Sequence, residues 1–171
     1  METLVKKAKK HDKEAFSQLM LDSEKDMYRV AKAILKNDDD VADAMQETAL
    51  ACWEKIHTLK KNEFFKTWLI KILINQCNAI CRQKSRFVFG TYEKESVGAE
   101  KEYINIEWKE FLKHLEEKYR TVVILYYVEG FKVKEIAQLL EISEGTVKSR
   151  MAAARKKMEA LYKSERRFKV I

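Results

Sequence analysis

Proline is absent from these 171 residues, and glycine occurs four times, at 90, 98, 130 and 145. β-Sandwiches, collagen-like chains and long disordered chains use far more of both, so composition excludes all three. Cysteine is scarce as well. Cys52, Cys77 and Cys81 sit in apolar surroundings and are too few for a disulfide framework. No apolar run approaches the ~20 residues of a membrane-spanning helix. The opening METLVKKAKKHDKEAF carries charges but no continuous apolar core, unlike a signal peptide. A cytoplasmic, helical protein is expected, of one ordinary domain or two small ones.

Hydrophobic residues make up 46% of the chain, enough to build a core, and 36% are charged, enough to solvate one side of every helix. The charge is unevenly placed. From Gly145 to Ile171 there are nine basic residues and two acidic ones, so this stretch alone equals the net +7 of the whole chain. The remainder sums to zero but holds an acidic cluster at Asp38, Asp39, Asp40, Asp43 and Glu47. A basic concentration of this kind fits a polyanion such as nucleic acid, or else a solvated face.

Apolar residues recur at helical spacing along most of the chain. From Asp12 to Lys36 the stripe is Phe16, Leu19, Met20, Met27, Val30, Ala31, Ile34 and Leu35, with Asp22 and Ser23 offering a break or cap. From Asp40 to Ile56 it is Val41, Ala44, Met45, Thr48, Cys52, Trp53 and Ile56. From Glu63 to Ser85 it is Phe64, Phe65, Trp68, Leu69, Ile72, Leu73, Gln76, Cys77 and Ile80. Residues 87–106 hold two of the four glycines and no sustained stripe, so they read as a linker. Periodicity returns at Ile106–Leu115, Tyr119–Val128, Val133–Leu140 and Ser143–Tyr162. The expected fold is all-α: two small helical domains, 1–86 and 107–171, joined by a flexible linker.

The sharpest local pattern is KVKEIAQLLEISEGTVKSRMAAARKKMEALY, residues 132–162. A first helix packs through Val133, Ile136, Ala137 and Leu140. Ser143 is a good N-cap for the second, with Glu144 in its positive first turn. That second helix buries Val147, Met151, Ala154 and Met158, and turns Lys148, Ser149, Ala152 and Arg155 outward. A basic helix lacking bulk in its first half suits a DNA major groove, so this reads as a helix-turn-helix, with a plain helical hairpin whose basic face is only solvated as the alternative.

EIAQLLEISEGTVKSRMAAAR resembles region 4 of a bacterial sigma factor of the extracytoplasmic-function (ECF) group. DDDVADAMQETALACWEKI resembles region 2.2 of the same family, and FFKTWLIKILINQCNAICRQKSR resembles regions 2.3 and 2.4. Order, spacing and length agree over nearly the whole chain. The resemblance implies an alternative sigma factor of the sigma-70 family, serving a regulated envelope or stress response. It would bind core RNA polymerase and promoter DNA, with no enzymatic chemistry, cofactor, metal or small-molecule substrate. Contacts are implied with the β′ clamp helices and the β flap. An anti-sigma factor, often membrane-anchored, is the further implied partner.

The resemblance assigns roles residue by residue. Asp43, Gln46, Glu47 and Leu50 would meet the polymerase, where carboxylates suit an Arg-lined partner. Lys60, Lys61, Asn62, Lys71, Asn75, Asn78, Arg82 and Lys84 would hold the −10 element, an amide reading an unstacked base edge while cations hold the displaced strand. Lys66 and Arg86 lie on the same helix. Ser143, Thr146, Lys148, Ser149, Arg150, Ala152, Ala153 and Arg155 would meet the −35 element, with Arg150 and Arg155 nearer phosphates. Arg166, Arg167 and Lys169 lie beyond the packed stretch. Glu141 stands where the family usually has glycine, which implies a strained turn. Ala49 replaces a frequent aromatic, and Ala152 and Ala153 replace larger or basic groups.

Two other readings stay open on the residues alone. A dimeric helix-turn-helix regulator acting without polymerase would explain 132–162, but not the acidic cluster or KTWLIKILIN. A helical protein-binding adaptor would leave the concentrated positive charge without a purpose. Cys77 and Cys81, one helical turn apart, fit buried thiols better than a zinc site, which takes about four ligands. His11, His57 and His114 have no matching spacing, and Trp53, Trp68 and Trp108 suit core positions.

Overall fold

A computed structural model describes the backbone of residues 1–87 and 112–168 and the side chains of residues 1–85 and 112–160. Every regular element among them is helical. The chain divides into two compact units, Met1–Ala99 and Glu100–Ile171.

The first unit starts with a short helix, α1 (Glu2–Ala8), whose Val5 and Ala8 are buried. Helix α2 (Lys13–Ile34) follows, capped by Asp12, whose carboxylate accepts the Ala15 N–H at 3.0 Å. Helix α3 (Asp38–Lys55) is capped by Asn37, which accepts the Asp39 N–H at 2.8 Å. Asp38, Asp39 and Asp40 then fill its first turn, where the helix dipole favours negative charge. After two 3₁₀ turns, Ile56–Thr58 and Asn62–Phe64, helix α4 (Phe65–Phe87) packs against both α2 and α3. Leu19, Val30, Ala31, Val41, Ala44 and Leu73 are among the residues closing this core.

Two expectations shift here. The break offered by Asp22 and Ser23 is not used, and α2 runs through both residues. Ser23 is buried and in phase with Leu19, Met27 and Val30, so a break there would bury unpaired backbone groups. In α4 the buried set is Phe65, Leu69, Ile70, Leu73, Ile74 and Cys77, while Phe64 is exposed and Ile72 half-buried. Phe64 belongs to the 3₁₀ turn before the helix, so Phe65 is the first core residue. The core then takes pairs of neighbouring positions, because α4 is covered from two sides.

In the second unit, α5 (Glu117–Val123) runs into one π-helical turn at Ile124–Val128, closed by the Glu129 N–H on the Ile124 carbonyl at 3.0 Å. The extra residue per turn buries Ile124 and Leu125 and leaves Tyr126, Tyr127 and Val128 exposed. Gly130, at φ +74°, ends the turn, and the Phe131 N–H closes back on the Leu125 carbonyl at 2.9 Å. Helix α6 (Val133–Leu140) buries Ile136, Ala137 and Leu139, while the expected Val133 and Leu140 are half-buried. Helix α7 (Glu144–Phe168) buries Val147, Met151 and Ala154, with Met158 half-buried. The expected linker lies outside the described residues apart from its first position, as does the expected helix at Ile106–Leu115 up to residue 111, Trp108 included.

Candidate nucleic-acid interface

Three exposed faces carry the residues singled out from the sequence. The first is on α3. Val41, Ala44, Thr48 and Cys52 turn inward, and the Thr48 hydroxyl is satisfied by donating to the Ala44 carbonyl at 2.6 Å. Burial pushes the Cys52 thiol up to about 12, so it stays protonated. Asp43, Gln46, Glu47 and Leu50 are therefore all exposed along one side. Leu50 is 60% exposed among those polar groups. An apolar centre with a charged rim is the make-up of a protein-docking patch rather than of a purely solvated face.

The second face joins the 56–64 segment to α4. Lys71, Asn75, Asn78 and Arg82 fall at helical spacing on one stripe, the last three exposed and Lys71 half-buried. Lys60 and Lys61 are exposed at the preceding bend, and the Lys61 ammonium stands 5.6 Å from the centroid of Phe64, itself 50% exposed. Lys61 also pairs with Glu63 at 3.7 Å, and further cations here are held by more distant parts of the chain. Lys66 pairs with Asp26 of α2 at 2.9 Å, and Lys84 with Asp40 of α3 at 2.8 Å. Asn62 is half-buried and accepts a hydrogen bond from Lys9 at 3.2 Å. Phe64, expected in the core, is thus an exposed aromatic beside Lys61. Phe64 and Phe65 are chemically alike, so the sequence held no local signal for which of them faces inward. Nothing local in the sequence pointed to Lys9.

The third face is the outer side of α7. Glu141 adopts the left-handed conformation (φ 56°, ψ 41°), and the Ile142 N–H closes on the Ala137 carbonyl at 3.0 Å. This is the turn that glycine usually makes, at a cost to glutamate of ~1 kcal/mol. Ser143 then caps α7, accepting the Thr146 N–H at 3.0 Å, with the two hydroxyls 2.8 Å apart. The Ser149 hydroxyl donates back to the Thr146 carbonyl at 3.0 Å. Lys148, Ser149, Ala152 and Arg155 are exposed, Thr146, Arg150 and Ala153 half-buried. The start of the helix is consequently slender, with Gly145 exposed beside its cap. On the far side, Lys157 pairs with Glu116 and stands 4.6 Å from the centroid of the Tyr119 ring. The side chains of Arg86, Arg166, Arg167 and Lys169 lie outside the described residues.

Among the described residues no cluster of three or more His, Cys, Asp or Glu could hold a metal ion, and no helix is long and apolar enough to cross a membrane.

Comparison with known proteins follows this division. Residues 19–87 match the sigma-70 region 2 family and residues 106–158 the sigma-70 region 4 family. The chain is 29% identical over 181 residues to the ECF RNA polymerase sigma factor SigW of Bacillus subtilis, covering 95% of each. It is 32% identical over 140 residues to the RNA polymerase sigma factor SigV of the same organism, covering 80% of this chain and 84% of SigV. The chain belongs to the ECF sigma factors. Among solved structures, the sigma factor RpoE of Bartonella quintana, crystallised with the anti-sigma factor NepR, superposes with a TM-score of 0.74 at 27% identity. That match covers 86% of this chain and 96% of RpoE. This ECF sigma factor is accordingly an alternative transcription initiation factor, and its region 4 helix-turn-helix is the DNA-binding motif read from residues 132–162.

Proposed function

We propose that residues 1–86 dock on core RNA polymerase and open the −10 element, while residues 107–171 read the −35 element as duplex. The α3 face carries this reading. Leu50, exposed among Asp43, Gln46 and Glu47, supplies an apolar anchor within a carboxylate rim for the β′ clamp helices. A regulator acting alone on DNA would have no use for such a patch. Lys60, Lys61, Asn62 and the Lys71–Asn75–Asn78–Arg82 stripe then meet the strand that is melted, with Lys84 at its end. Lys148 and Ser149 reach base edges from the slender start of α7, beside Ala152 and Ala153. Arg150 and Arg155 meet phosphates, and Ser143 and Thr146 shape the helix start.

The factor contributes binding and orientation, and the polymerase contributes the chemistry of RNA synthesis. The second unit also meets the β flap. An anti-sigma factor covers these faces until a signal in a regulated envelope or stress response releases them, as the pairing of the similar RpoE with NepR suggests. The work is done in the cytoplasm.

The test is promoter footprinting and open-complex formation with and without core polymerase. The chain alone should bind promoter DNA weakly and without a defined footprint, because two small modules gain effective concentration only when held at fixed spacing. Core enzyme should bring protection of both elements together with melting at −10. A sharp, sequence-specific footprint from the chain alone would favour the autonomous regulator instead.

A further inference from the structure

Lys9 lies just past the C-terminus of α1, fifty residues before the segment that it touches. Its ammonium donates to the Leu59 carbonyl at 2.6 Å and to the Asn62 side-chain carbonyl at 3.2 Å. We propose that Lys9 is a positioning residue for promoter melting, clipping the 59–62 bend at two points so that Lys60 and Lys61 are held toward the −10 strand. The proposal rests on the reading of this bend as part of the −10 surface.

The clip can act because its base is fixed. Val5 and Ala8 bury α1 in the core, and the chain then turns sharply. The Lys10 N–H bonds the Lys7 carbonyl at 2.8 Å and the His11 N–H bonds the Ala8 carbonyl at 2.9 Å, with His11 left-handed at φ 60°. The His11 ring meets Trp53 edge-on at 5.3 Å, and Phe16 meets the same indole at 4.9 Å. The corner between α1 and α2 is therefore seated on the end of α3, and the half-buried Lys9 reaches from it across to the bend.

The bend itself has little regular structure. Its backbone bonds include the Leu59 N–H on Ile56 at 3.2 Å and the Phe64 N–H on Lys61 at 3.2 Å, one before and one after the exposed lysines. Lys9 bridges that gap, since one ammonium carries three donors and the two acceptors flank Lys60 and Lys61. A surface that must catch a transiently unstacked base gains from being held in shape beforehand. Lys9 commits its ammonium to the Leu59 and Asn62 oxygens, so its effect on DNA runs through the bend.

The test uses full-length Lys9→Met and Lys9→Arg in reconstituted holoenzyme. Open-complex formation is measured by permanganate reactivity on a matched promoter and on one with a substituted −10 base, over a salt series. Lys9→Met removes both hydrogen bonds to the bend and should shrink the matched-to-substituted ratio about tenfold or more, since one charge-assisted hydrogen bond alone is worth roughly that factor. The −35 discrimination, the core affinity and the salt slope should stay as in the parent, and Lys9→Arg should keep the ratio. Lys9→Gln, with a donor on a shorter stem, is read in parallel and substitutes for Lys9→Met if the latter does not fold. An unchanged ratio overturns the proposal, even if the melting temperature falls. Equal weakening of both promoters with a salt slope lower by about one also overturns it, because that marks a direct phosphate contact. Lys60→Ala with Lys61→Ala separates the two levels. If that double variant leaves −10 opening intact, the reading of the bend fails, whereas its loss beside an unaffected Lys9→Met condemns only the clip.

Discussion

The two faces proposed for DNA are built on opposite plans. Around α4 the polar side chains are extensively held by the protein: Lys84 by Asp40, Lys66 by Asp26, and Asn62 by Lys9. On α7 the small hydroxyls serve the helix's own start, and the side proposed to face the groove is Lys148, Ala152 and Arg155, opposite a buried Val147–Met151–Ala154 seam. The targets explain the contrast. Duplex DNA arrives with its groove already formed, so its reader needs a slender helix and few side chains. A melted strand has no fixed conformation until a surface receives it, so its reader must be rigid. Stiffness therefore belongs where the DNA is soft.

The comparison breaks most forcefully at α3, whose exposed outer face is the one proposed for the polymerase rather than for DNA. Asp43→Arg with Glu47→Arg should abolish holoenzyme formation by gel filtration, a loss on the order of a hundredfold or more for reversed charges at an interface. Circular dichroism should be unchanged, since both side chains are exposed. Undiminished association with core enzyme would remove the α3 face from the interface.

How far each plan could be read from the sequence depends on how local it is. The α6–turn–α7 motif was visible because caps and stripes are short-range: Ser143 caps as expected, and Glu141 takes the left-handed turn that its position implied. The three long helices of the first unit were visible for the same reason. Three features were not. The π turn at Ile124–Val128 moves the phase by one residue and has no composition of its own. Phe64 and Phe65 are chemically alike, and only the 3₁₀ turn decides which one faces inward. The clamps on the α4 side join residues far apart in the chain, such as Lys84 with Asp40 and Lys9 with Leu59, and no spacing rule reaches that far. The rigid plan is the one that sequence reading underestimates.

The α7 plan is sharpened by Lys148→Ala. A base contact is worth roughly 1–3 kcal/mol of discrimination, so holoenzyme should lose about tenfold of its preference for the true −35 element over a scrambled one. If both affinities fall by the same factor, Lys148 is only an electrostatic anchor, and reading lies elsewhere along the helix.

A smaller pair of substitutions compares the left-handed corners of the two units. Glu141→Gly should raise the stability of the second unit by ~1 kcal/mol or leave it level, strain relief being offset by chain entropy. His11→Gly relieves the same kind of strain but also removes the edge contact on Trp53, so its net change should be closer to zero or negative. Thermal melts of the two variants decide the order. A clear loss in Glu141→Gly would mean that the glutamate side chain contributes more than its backbone costs.

The smallest expected effect tests whether the second unit has any clamp of its own. Glu116 is exposed, yet its hydrogen bonds from Lys157, and secondly from Lys118, hold its carboxyl below the ordinary value of 4.5. A carboxyl lowered in the folded state favours folding above its unfolded value, and that support disappears as the pH falls through the folded one. Glu116→Gln should therefore lower the melting temperature slightly at pH 7, and the difference from the parent should close as the pH drops below 4.5. Salt should close it as well, because exposed pairs are screened. If the two proteins melt alike at pH 7 in low salt, the contact adds nothing to stability, and α7 is held to its unit by the Val147–Met151–Ala154 seam without help from its charges. A difference that persists well below the carboxylate range would instead mean that the amide disturbs the start of α5 by packing rather than by charge.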